Sequence, residues 1–198
     1  MRLFQRPTVE EGFWKWFQQN ASALSQTKDF EGPLFSELSN RLASIRSGLV
    51  WELALHGKER ELTISADGDR QLFPVVKKLV ASAPSIPGWR VNAFRQRRPL
   101  DFAYRSGNTS LAADAIKFAL SGPRDGKMDI DLYIDNYGKG DEQIPRGAFI
   151  LLDAAIGEYD METKIGAIDF RASGEVPIGV AIKPLRELAS TLDASLRK

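Results

Sequence analysis

The chain reads as an α+β fold: an antiparallel-rich sheet of about six strands, preceded by a helical hairpin and closed by a C-terminal helix. Three observations predict it. Apolar residues repeat at helical spacing up to Ile45, and the period changes to strand alternation beyond Leu49. The order strand, turn, strand, helix, strand then runs twice, over 49–97 and over 115–171, so a duplicated ββαβ unit is the preferred account.

Taken in order, Thr8-Val-Glu-Glu11 has the form of a capping box, in which Thr8 accepts from the amide of residue 11 while Glu11 reaches back. The helix it opens runs to about Leu24 and gathers Phe13, Trp14, Trp16 and Phe17 on one arc. Pro33 suits the first turn of a second helix, with Leu34, Leu38, Leu42 and Ile45 as its stripe. Leu49–Leu55 and Glu61–Ala66 read as strands about the turn at His56-Gly-Lys-Glu59. Asp67-Gly-Asp69 breaks the second strand and can cap a helix bearing Leu72, Phe73, Val76, Leu79 and Val80, provided Pro74 lies near its start. Trp89–Arg97 is a third strand, and Pro99–Asn108 reads as a linker.

The second pass gives a strand over Ala115–Leu120, a turn over Gly122–Gly126 and an alternating strand over Met128–Asp135. A helix from Pro145 should carry Phe149, Leu152, Ala155, Ile156 and Tyr159 on one side. Ile165–Arg171 is a strand, and Leu185, Leu188, Leu192 and Leu196 mark the last helix.

Composition sets the outer bounds. The 198 residues are 43% hydrophobic and 27% charged, which suits one globular domain over 1–198. With 27 basic and 26 acidic side chains the net charge is +1, so no global field draws the chain to nucleic acid or an anionic membrane. The absence of cysteine excludes disulfides, thiolate metal sites and Cys nucleophiles. Residues 1–7 carry no leader-like apolar run and Ala148–Leu152 is far too short to span a bilayer, so a cytoplasmic protein is expected.

Three segments, Phe13-Trp-Lys-Trp-Phe-Gln-Gln-Asn20, Ile64–Pro74 and Gly88–Arg97, together resemble a family of small uncharacterised bacterial proteins. That family shares an FWxWFxxN opening and an AFRQR strand. The resemblance covers the first half of the chain; it implies a bacterial origin and assigns no activity.

No catalytic template fits. His56 is the single histidine, in a turn with no GxSxG elbow beside it. Asp67-Gly-Asp69 starts like a calcium loop, but Leu72 and Lys78 stand where an EF-hand needs Gly and Glu. Gly138-Lys-Gly140 lacks the spacing and hydroxyl of a phosphate loop.

Two places could hold a site. Asp129, Asp131 and Asp135 share one strand face with Tyr133 and could ligate Mg²⁺ or Ca²⁺, although a solvated strand face has the same pattern. Trp14, Trp16 and Asn20 could form an aromatic groove with an amide reader, although a core arc tied by Asn20 to a backbone segment, such as the loop before the second helix, explains them as well. Arg95 and Arg97 lie among aromatics in a composition that can hold nucleic acid, but ion pairing with acidic strands of the same sheet is the preferred role. The expectation is therefore a non-catalytic binding or protein-interaction module for an unknown protein or small molecule, without cofactor. The alternative is a metal-assisted enzyme using the aspartate row.

Overall fold

A computed structural model of the chain describes residues 8–27, 30–138, 140 and 142–196, the side chain of His56 excepted. Residues 1–7, on which the expectation of no leader rests, and Lys139 of the glycine loop lie outside the described residues. The class is α+β, with six α-helices and nine strands among the described residues. The strands form three small sheets of three, two and four strands, not the single sheet of about six that the sequence suggests. The chain divides into two compact units, 1–95 and 96–198, each with its own hydrophobic cluster. Strand alternation specifies which faces are buried, but not which strands share a ladder.

In the first unit, α1 (Val9–Gln26) starts at the expected capping box: Glu11 N donates to Thr8 Oγ1 at 3.2 Å, and Thr8 N to Glu11 Oε2 at 2.7 Å. α2 (Pro33–Ile45) begins on its proline and packs against α1. β1 (Val50–His56) and β2 (Glu59–Ser65) form an antiparallel hairpin. Asp67 and Gly68, both at positive φ, turn the chain, and Asp69 accepts from Gln71 N at 2.9 Å to cap a 3-10 turn leading into α3. α3 (Phe73–Ala81) carries Pro74 in its first turn, where the missing amide costs nothing. β3 (Trp89–Ala93) then pairs parallel to β2.

β3 ends four residues before the expected Arg97. Phe94 has φ 67°, a left-handed backbone that a bulky residue adopts only when its surroundings hold it there. Its ring is buried 4.5 Å from that of Phe73 and its amide donates to Ile64 O at 2.8 Å. That turn takes the chain out of extended geometry, so Arg95 and Arg97 lie on no strand.

The second unit opens with a hairpin that the sequence reads as linker: β4 (Ala103–Ser106) pairs β5 (Thr109–Ala112) about Gly107, which has φ 54°. β6 (Ile116–Arg124) and β7 (Lys127–Ile134) pair antiparallel through Asp125-Gly126, both at positive φ as a tight hairpin turn requires. α4 (Gln143–Ile156) stops at Gly157, with φ 79°, and α5 (Glu158–Lys164) follows. Tyr159 therefore lies on α5 and not on the α4 stripe, and Phe149 is 44% exposed. The expected Leu152, Ala155 and Ile156 are buried on α4, and Ile144, Ala148 and Leu151 share that burial. β8 (Ile165–Ala172) pairs parallel to β7, and β9 (Lys183–Pro184) joins the free edge of β6, giving the order β8-β7-β6-β9. A 3-10 turn at Leu185–Glu187 leads into α6 (Leu188–Ser195). Among the described residues no helix is long and apolar enough to cross a membrane.

Candidate functional site

The aromatic arc of α1 is core. Phe13 and Phe17 are closed from solvent, and Phe17 meets Trp89 edge to face with centroids 4.9 Å apart. Trp14 is also closed, and its Nε1 donates to Leu79 O at 2.8 Å. Trp16 stays at the rim, under the Arg41 guanidinium 5.0 Å above its ring. Asn20 does hydrogen-bond a backbone group, but its Nδ2 donates to Trp16 O, four residues back on the same helix, at 2.9 Å, and not to the loop before α2. A bond inside one helix turn ties nothing together. Asn20→Ala is therefore expected to change stability by less than about 0.5 kcal/mol, since alanine restores helix propensity as the bond is lost. A melting comparison checks this, and a drop of several degrees would show a tertiary role.

The four arginines of the 89–98 segment separate. Arg90 lies 3.9 Å from Glu59 on the adjoining strand, and Arg95 pairs with Glu52 of β1 and with Asp67 at 2.9 Å, so these two stay within the sheet region as expected. Arg97 does not. Its Nη1 donates to Asp193 of α6 at 2.7 Å, its Nη2 to Asp160 of α5 at 2.6 Å and its Nε to Ile156 O at 3.1 Å. Asp193 first, then Asp160, hold the guanidinium above its ordinary range against the opposing effect of burial. A guanidinium fork with donors in fixed directions joins these helix ends as a lysine could not. Arg98 stacks its guanidinium 4.5 Å over the Phe102 ring.

The aspartate row is occupied by the protein itself. β7 and β8 shift register between Met128 and Ile130, and the amide of Ala167 freed by this bulge donates to Asp129 Oδ1 at 2.8 Å. Gly166 leaves room for that carboxylate, which a Cβ would strike. Arg124 pairs with the other oxygen of Asp129, and Arg171 Nε donates to Asp131 Oδ1 at 2.9 Å. Asp135 is exposed at the strand end. Tyr133 departs from the solvated face expected of it, being 1% exposed, and burial with the nearby Asp131 charge holds its phenol above the ordinary value. Among the described residues no three His, Cys, Asp or Glu side chains converge as a metal site would need.

The feature that the sequence gives no signal for is a cleft in the second unit, about 430 Å³ in volume, where the chain before β9 leaves the edge of β6. β9 pairs β6 only at Lys117 and Phe118. Beyond that point the β6 edge at Ala119 and Leu120 forms one wall, Ala181 and Lys183 another, and α6 a third through Thr191 and Ser195. Met128 and Pro123 extend the apolar floor. Lys183 Nζ donates to Thr191 Oγ1 at 3.2 Å, and Ser195 Oγ donates to Thr191 O at 2.9 Å, one turn back along α6. A smaller cleft of about 270 Å³ shares Lys183, Thr191 and Ser195 and adds Glu187. No signal in the sequence marks these residues, because β9 is two residues long and the strand and helix that meet here lie more than sixty residues apart.

Comparison of the chain with protein-family models, with curated proteins and with solved structures finds no match.

Proposed function

We propose that the protein is a non-catalytic binding module whose ligand is a small molecule held in the β6, β9 and α6 cleft. The observation that carries this is the cleft itself. Its volume falls in the usual range for small-ligand sites, roughly 300–1,000 Å³. An apolar floor meets a few polar groups on one side, the arrangement by which such sites fix a ligand's orientation. Trp14 and Asn20 are committed to packing and to helix hydrogen bonding, and Arg95 and Arg97 to ion pairs, so the binding role passes from them to the cleft. Asp129 and Asp131, the heart of the enzyme alternative, are each held by an arginine.

The duplication of a ββαβ unit belongs to the same proposal as the account of how the two units arose. It is supported by the order common to both: an antiparallel hairpin, a helical crossover, and a third strand parallel to the hairpin's second strand.

The binding reading is tested by titrating the ¹⁵N-labelled full chain with a fragment library of neutral, cationic and anionic members. The expected result is that the fragments which bind perturb amides at Ala119, Leu120, Lys183 and Thr191. A library that leaves those amides unmoved overturns the reading.

A further inference from the structure

We infer that the ligand of this cleft is an amphipathic anion, with an apolar body against Phe118, Leu120 and Met128 and a carboxylate or phosphate head at Lys183 and Thr191. The inference rests on the reading of the cleft as a binding site and adds the class of ligand. A lysine ammonium has three hydrogens, and the bond to Thr191 Oγ1 engages one of them. In that bond the threonine oxygen accepts, so its own hydroxyl hydrogen is free to donate. Ser195 spends its hydrogen on Thr191 O and offers lone pairs only, further along α6.

The Lys183 end of the cleft therefore presents ammonium and hydroxyl hydrogens together with a positive charge. An acceptor bearing negative charge satisfies them with charge-assisted hydrogen bonds; a neutral hydroxyl or amide does so more weakly. The sign of the field agrees with this. Among the described residues the walls of the larger cleft include one cation, Lys183, and no carboxylate, whereas Glu187 lines only the smaller neighbouring cleft. The floor restricts the other end of the ligand, because Phe118 and Met128 offer no hydrogen-bonding partner to a fully polar anion.

The apolar chain beside the cleft fits the same ligand. Val176, Pro177, Ile178, Val180, Ala181 and Ile182 precede β9, and Ile178 is fully exposed. That segment lies next to the cleft through Ala181, where an alkyl or aryl body would give it apolar surface to cover.

The probes are octanoate, octanol and inorganic phosphate, titrated separately into the labelled full chain and its Lys183→Gln variant. Octanoate is expected to move the amides of Ala119, Leu120, Lys183 and Thr191, and to bind about tenfold or more tightly than octanol. Lys183→Gln should reduce octanoate to the affinity of octanol, and Lys183→Arg should keep the preference. A melting curve of each variant verifies that the fold is intact, and should the glutamine variant unfold, the octanoate to octanol ratio in the parent chain decides alone. Octanol binding as tightly as octanoate would leave the cleft a binding site and overturn the anionic class. Phosphate binding as tightly as octanoate would overturn the apolar body. If neither octanoate nor octanol moves the cleft amides, the ligand class falls; the binding reading falls with it only if the fragment library is silent there too.

Discussion

Phe17→Ala is expected to destabilise the first unit by about 3–5 kcal/mol, a large part of the roughly 5–15 kcal/mol that holds a domain folded. Phe17 is 0% exposed, stacks 6.3 Å from Phe13 and meets both Trp14 and Trp89 edge to face. Truncation removes the transfer energy of a whole ring and leaves a cavity lined by other rigid rings, which cannot collapse to fill it. Urea unfolding followed by tryptophan fluorescence reads this directly, since Trp14 and Trp89 border the void. A loss below about 1 kcal/mol would mean that the aromatic face is not the core of this unit. Phe17→Leu keeps most of the apolar area and should recover much of the loss.

Leu132→Ala is the matching experiment in the second unit, with an expected cost of about 2–5 kcal/mol. Leu132 is fully buried at the centre of β7, opposite Phe118 on β6 and Phe170 on β8. A void at this position loses contacts to both neighbouring strands and to the helices covering them, so little local relaxation is open to it. The measurement is hydrogen exchange across the chain: protection of the β6, β7 and β8 amides should fall. Asp131→Asn, one residue away but pointing to the other face, should cost far less, because its partner Arg171 is 41% exposed and solvent screens the pair. Equal losses from the two variants would mean that β7 is not one-faced in the way its register implies.

Much of the local structure was legible because it depends on neighbours in sequence. The Thr8 and Glu11 capping box, Pro33 at the start of α2, Pro74 in the first turn of α3 and the alternation of β7 each follow from contacts within a few residues. The β4/β5 hairpin is not legible in the sequence since its strands are four residues each, too short for a period to emerge. The α4 stripe reads too far because Tyr159 falls at helical spacing from Ile156, whereas Gly157, at positive φ, ends the helix between them. Tyr133 was placed with the aspartates by strict alternation, which says that residues share a face but not what covers each of them.

The sequence by itself determined the α+β class, the starts of α1, α2 and α3, the hairpins at 56–59 and 122–126, and the exclusion of cysteine chemistry, all set by residue type and short-range periodicity. Only the tertiary structure decided that the strands form three sheets, that Arg95 and Arg97 serve different units, and that Asp129 caps a bulge. It also decided that Lys183 stands beside Thr191 at an open strand edge. The physical reason is common to all four. Each depends on which distant segment fills a given ladder edge, ion pair or freed amide, and a side chain's own identity leaves that partner open until the chain has packed.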